Sequence, residues 1–163
     1  MGSFREVLRT LNLMKDEGVF EDYAISGAMA LVFWTEPVPT YDLDVLVFMP
    51  PGEGQLLSLD PLYRWAAARG WRVEEEHLVI EGVPTQFVPS PNPLSDEAVS
   101  SAEPRDYEGV SVRVVRPEYL VALYLQPGAG TAKRRERAAA LLEWPGLNRA
   151  VLDEILSRYG LSF

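Results

Sequence analysis

The sequence predicts an α/β (α+β) fold, a mixed and partly antiparallel sheet with flanking helices and a helical C-terminal part. Three observations predict it. A short apolar strand at 23–25 runs through Ser26-Gly27 into a helix beginning near Ala28, and the apolar run VLVF follows at 45–48. Strand-like runs then succeed one another at 71–75, 77–80 and 83–88, with Glu81-Gly82 as a tight hairpin turn between the last two. From Pro117 the character changes to helix, in PEYLVALYL, TAKRRERAAALLE and LNRAVLDEILSRYG.

Taken in order, 4–17 reads as a first helix, because Phe4, Val7, Leu8, Leu11 and Met14 recur at helical spacing. Ser3 is placed to cap it and Gly18 to end it. Pro37 and Pro39 stiffen the loop that delivers Asp42, and Pro50-Pro51-Gly52 closes the strand after it. A second helix is predicted over 56–69, with Pro61 in its first turn, Gly70 as its stop, and Leu59, Leu62, Tyr63, Ala66 and Ala67 as its buried stripe. A Pro-rich loop covers 90–92, Ser95-Asp96-Glu97 opens a short helix, and 110–116 alternates like an exposed or edge strand.

The chain of 163 residues is expected to be one domain, with an α/β core over 1–116 and a helical part over 117–163. With 47% hydrophobic and 24% charged residues, the composition is that of a globular protein. No apolar run approaches the roughly eighteen residues of a membrane span, and MGSFREVLRT is charged from the start, unlike a secretory signal. The absence of Cys excludes disulfides and thiolate metal sites and fits a cytoplasmic location. A net charge of −9 argues against broad nucleic-acid binding, which depends on a basic surface. There is neither a P-loop nor a dinucleotide fingerprint, and His77, the single histidine, has no convincing Ser or Cys partner for nucleophilic catalysis. Without Cys nearby it does not suggest a zinc site either, and a place on a strand surface suits it better.

The chemistry-bearing stretch is YAISGAMALVFWTEPVPTYDLDVLVF, residues 23–48. Asp42 and Asp44 flank Leu43, and the period of a strand puts both carboxylates on one face. Two like charges that close repel unless a cation lies between them. Paired oxygens at a strand end suit Mg²⁺, which keeps several waters and takes further ligands from substrate phosphates. About fifteen residues upstream, Ser26-Gly27 opens a helix whose free N–H groups favour an anion. A plain strand-to-helix junction and a solvated Asp-x-Asp turn are the bland alternatives.

SGAMAL, a loop containing Thr40, and then DLDV resemble the signature of the nucleotidyltransferase superfamily with the DNA polymerase β-like fold. The pattern is most similar to the small bacterial AbiEii/MNT-like branch. The resemblance implies Mg²⁺-dependent transfer of a nucleotidyl group from an NTP to a protein or small-molecule acceptor. Asp42 and Asp44 would hold the metal, Ser26 and Gly27 the phosphates, and Thr40 would brace the loop. In relatives a helix late in the chain bears a Lys near the nucleotide, which here points to Lys133, with Arg137 one turn on. A solvated helix face is the alternative for these cations.

The sequence departs from the pattern in three places. Ser26 stands where a glycine is usual, and Val38 where toxin-like relatives carry Arg. The third carboxylate, expected on an antiparallel strand beside the Asp strand, is not evident. Gln86 is the polar residue at that position, and Glu81, in the turn, is a poorer candidate. A second reading follows: a catalytically degenerate protein that keeps the fold and binds nucleotide, as a partner in a toxin–antitoxin-like pair. Trp34, Trp65, Trp71 and Trp144 read as core or half-buried packing.

Overall fold

A computed structural model describes residues 4–35, 42–49, 59–74, 77–127 and 132–162. Ser3, Pro37, Pro39, Thr40 and 50–52, to which the sequence assigns roles, lie outside the described residues. Among those described, seven strands form one sheet and seven helices flank it.

The chain opens with α1 (Phe4–Asp16), which buries Val7, Leu8, Leu11 and Met14. β1 (Asp22–Ser26) leads directly into α2 (Gly27–Trp34), and β2 (Leu43–Phe48) returns antiparallel beside β1. α3 (Asp60–Ala68) begins later than the predicted helix start, with Pro61 in its first turn. It buries Leu62 and Ala66, whereas Ala67 is exposed and Trp65 takes the half-buried place. Trp65 and Arg69 both donate to the Glu17 carboxylate, at 3.1 Å each, which fastens α3 to the end of α1.

β3 (Val73–Glu74) is a two-residue edge strand. β4 (His77–Ile80) and β5 (Val83–Pro89) form the expected hairpin, with Glu81 at φ 50° and Gly82 at φ 78°, the left-handed pair that a tight two-residue turn requires. α4 (Pro93–Ser100) starts earlier than predicted, because Asn92 rather than Ser95 caps it: the Ser95 N–H donates to the Asn92 side chain at 2.9 Å. β6 (Glu103–Tyr107) and β7 (Val110–Val114) form a second hairpin, followed by α5 (Pro117–Tyr124), α6 (Ala132–Glu143) and α7 (Arg149–Tyr159).

The strand order is β3-β4-β5-β2-β1-β7-β6. β7 therefore lies inside the sheet, between β1 and β6, and the edge is β6, whose EPRDY sequence shows no strand pattern. β2 runs parallel to β5, and β1 parallel to β7, although antiparallel neighbours were expected beside the Asp strand. The reversal follows from β5 arriving after the whole 59–82 excursion, so that no short turn constrains its direction.

Alternation along the central strands separates two faces. Tyr23, Val45, Val47 and Phe87 lie on the face that meets Phe20 and α1; the Tyr23 hydroxyl donates to Asn12 at 2.6 Å. Ser26, Asp44 and Gln86 lie on the opposite face, toward α4, α5 and α6. On that side Glu97 of α4 accepts from the Tyr119 hydroxyl of α5 (2.8 Å) and from Arg158 and Tyr159 of α7, which locks the C-terminal helices to the core. α6 is held less firmly, burying Ala138 and Leu141 among its described side chains.

Candidate functional site

Ser26 pairs with Asp44 across β1 and β2, and Asp44 pairs with Gln86 across β2 and β5. Continuing the β4–β5 register by one residue from Leu78↔Thr85 brings His77 opposite Gln86, and Glu74 pairs with His77 on β3. A polar row thus crosses the sheet in the order Ser26, Asp44, Gln86, His77, Glu74, with all its side chains on one face.

Gly27 explains why Asp44 can approach the start of α2. Its φ of 63° is left-handed, and a Cβ there would overlap the Asp44 carboxylate. Ser26, extended and in the capping position, makes no side-chain cap bond, so its hydroxyl is not spent on the helix. A cavity of about 260 Å³ opens over this turn, lined by Ser26, Gly27, Asp44, Gln86, Tyr124 and Arg134 among others.

Asp42 sits immediately before β2, with its side chain half exposed, and its Oδ2 lies 3.4 Å from His77 Nε2. Asp44 is largely buried. Burial, then the charge of Asp42, push its carboxyl above the usual aspartate value, while His77, Arg137 and Arg134 pull it back down. Burial raises Tyr124 as well, with Arg137 opposing it and Asp44 reinforcing it. Among the described residues the buried Tyr124 hydroxyl has no partner in hydrogen-bond geometry, although Arg137 is near enough to lower its pKa.

Of the residues that the sequence singled out, Ser26, Gly27, Asp44 and Gln86 meet at one cavity, and Asp42 is close enough for its charge to be felt by Asp44. Glu81 lies in the β4–β5 turn, away from this cavity's lining. Thr40 is outside the described residues, as is the Lys133 side chain, although its backbone belongs to α6. Arg134 is the α6 cation that lines the cavity, and Arg137 follows it three residues on, which is the spacing of a shared helix face. Sequence reasoning missed Arg134, Tyr124 and the place of His77 beside the acids. The helical spacing of Arg134 and Arg137 was a readable signal; the pairing of β4 with β5 opposite Gln86 was the signal for His77.

Two carboxylates, an amide and a hydroxyl make a hard-oxygen donor set, and a cation would offset both the burial and the neighbouring Asp42 charge that raise the Asp44 carboxyl. Among the described residues no group of three His, Cys, Asp or Glu forms a metal cage. Mg²⁺ needs only one or two carboxylates when phosphates and waters complete its shell, so these residues fit it. Among the described residues no helix is long and apolar enough to cross a membrane.

No protein-family model matches the chain, and no curated protein matches it. Solved structures do. The solution structure of the antibiotic-resistance factor ANT(2'')-Ia superposes with a TM-score of 0.56 at 18% identity, covering 98% of this chain and 92% of that one. The crystal structure of ANT(2'')-Ia in complex with adenylyl-2''-tobramycin gives 0.56 at 19% identity, over 96% of this chain and 99% of that one. A crystal structure of an antigenic nucleotidyltransferase-like protein from Paracoccidioides brasiliensis gives 0.55 at 16% identity, over 97% and 88%. The chain has the fold of these nucleotidyltransferases along nearly its whole length.

Proposed function

We propose that this protein transfers a nucleotidyl group from a nucleoside triphosphate to a protein or small-molecule acceptor, with Mg²⁺ as cofactor. The observation that carries the proposal is the register Ser26↔Asp44, which sets the turn at the start of α2 directly beside the acid strand and under Arg134. The Gly27 N–H and the start of α2 favour phosphate oxygens, and Arg134 and Arg137 add positive charge where pyrophosphate would leave. An acceptor hydroxyl oxygen attacks the α-phosphorus and gives up its proton to solvent, the bond from that phosphorus to the α–β bridging oxygen breaks, and pyrophosphate departs with the electron pair. Mg²⁺, held by Asp42 and Asp44, supplies charge neutralisation at the phosphates when bound. Asp44 is held in the β2 ladder close over the bare backbone of Gly27, so the residues act chiefly by position and charge.

Residues of 1–116 and of the helical part both line the cavity, which supports treating 1–163 as one functional unit. The neighbour described with adenylyl-2''-tobramycin carries a modified small molecule, which supports a small acceptor over a protein one. A triphosphate donor is a cytoplasmic metabolite, in keeping with a cytoplasmic location. Placement in the AbiEii/MNT-like branch rests on the SGAMAL and DLDV motifs.

The test is thermal unfolding with each of ATP, CTP, GTP and UTP, with and without Mg²⁺, followed by a label-transfer assay. A ligand at 100 times its Kd stabilises the native state by about 2.7 kcal/mol, so at least one Mg²⁺–nucleotide pair is expected to raise Tm by several degrees. No shift at millimolar concentration with any of the four would reject the site.

Gln86 favours a second reading, that of a nucleotide-binding protein with little or no catalysis. It occupies the strand position beside Asp44, and an amide neither accepts the acceptor's proton nor adds charge to a metal site. Gln86→Asp is expected to tighten divalent-ion binding in the presence of nucleotide and to raise any transfer rate. Unchanged metal affinity in that variant would show that position 86 takes no part in the site.

A further inference from the structure

Asp42 and Asp44 are held very differently. Asp44 is within β2, bonded into a ladder on both sides and pressed against Gly27. Asp42 precedes the strand, and its side chain is 51% exposed. A half-exposed carboxylate at a strand entrance samples several rotamers unless a neighbour selects one. One such neighbour is His77, which reaches over from β4 and places Nε2 at 3.4 Å from Asp42 Oδ2, slightly beyond an ordinary N–H···O hydrogen bond. His77 is itself fixed, by the β4 ladder and by its place in the polar row beside Gln86, with its side chain only 24% exposed. A pair this open to solvent adds little to stability, so its consequence is to be sought in orientation.

We propose that His77 is a positioning residue for Asp42: its Nε2–H turns the Asp42 carboxylate toward Asp44 so that both present oxygens to one divalent cation. The inference rests on the nucleotidyl-transfer reading above. A donor on the outer oxygen of a coordinating carboxylate fixes the carboxylate plane, and loss of such a partner costs about 10- to 100-fold in metal affinity. His77 touches the ligand and not the reacting atoms, so it acts through Asp42.

The experiment uses the full chain and Mn²⁺ as the probe, with binding measured by calorimetry and by the electron-spin resonance signal of the free ion. His77→Ala is expected to weaken Mn²⁺ by about tenfold or more, whereas His77→Gln, which keeps a side-chain N–H donor, recovers most of that loss. Wild-type affinity in His77→Ala overturns the proposal, and so does an equal loss in the Ala and Gln variants. If the wild type itself binds no Mn²⁺, with or without nucleotide, the functional reading falls and takes this inference with it. The His77 contact is also read without any metal. Because the chain has one histidine, its ring nitrogens give a single assigned pair of ¹⁵N resonances. In the neutral ring the Nε2–H tautomer is expected, and Asp42→Asn should shift the Nε2 signal while leaving the fold intact. An unmoved Nε2 resonance in Asp42→Asn overturns the proposal even where Mn²⁺ binding is normal.

Discussion

Gly27→Ala is expected to destabilise the protein by about 2–5 kcal/mol and to abolish nucleotide binding. The left-handed φ of 63° costs an alanine about 1–2 kcal/mol. The added Cβ also overlaps the Asp44 carboxylate, and forcing extra atoms into a packed site costs about 1–3 kcal/mol more. Asp44 cannot retreat without leaving the row that it shares with Ser26 and Gln86. Gly18→Ala is the control: its φ of 77° carries the same backbone cost, but nothing lies within 4 Å of the new Cβ. Chemical denaturation of both variants checks the result. Equal destabilisation at the two positions would mean that Asp44 does not depend on the bare backbone at Gly27.

Replacing both Asp42 and Asp44 with Asn is expected to remove every metal-dependent nucleotide effect on Tm and to leave the fold more stable at neutral pH. The sign follows from Asp44. Burial and Asp42 raise its folded pKa, so the folded chain holds that proton more tightly than the unfolded chain does. Its penalty is absent below the unfolded pKa of about 4, grows as the pH rises through the folded value, and is complete above it. The gain in the double variant should therefore be full at neutral pH and vanish toward pH 4. A parallel offset between variant and parent across that window would contradict the assignment of Asp44 as the strained carboxyl. Nucleotide and metal binding at parental strength would make the acid pair structural.

The elements around Ser26-Gly27 were legible because they are written locally: an apolar strand, two small residues, an apolar helix. The same holds for Glu81-Gly82, whose two left-handed residues are hairpin chemistry. Glu108-Gly109 carries that chemistry too, at φ 48° and 86°, yet the hairpin it makes was not read. Its first strand, EPRDY, is an edge strand with Pro104 and three charges, and it takes its conformation from pairing with β7. The parallel course of β5 beside β2, and with it the meeting of His77 and Asp42, is a fact of register between distant segments, which no local pattern encodes, whereas the place of His77 opposite Gln86 follows from the two-residue turn of the β4–β5 hairpin. Asn92 lies in the loop that was read as Pro-rich, and it outcompeted Ser95 because Pro93 can fill the first helical position.

The two arginines at the site ride on α6, a helix that buries little beyond Ala138 and Leu141. β1 and β2, by contrast, are enclosed on both sides of the sheet. Local unfolding is easiest where few apolar contacts must be broken. Hydrogen exchange should therefore release the α6 amides long before those of the acid strand. The cationic wall would swing away and return while the carboxylates stay in place, which gives a charged donor a way in that leaves the sheet intact.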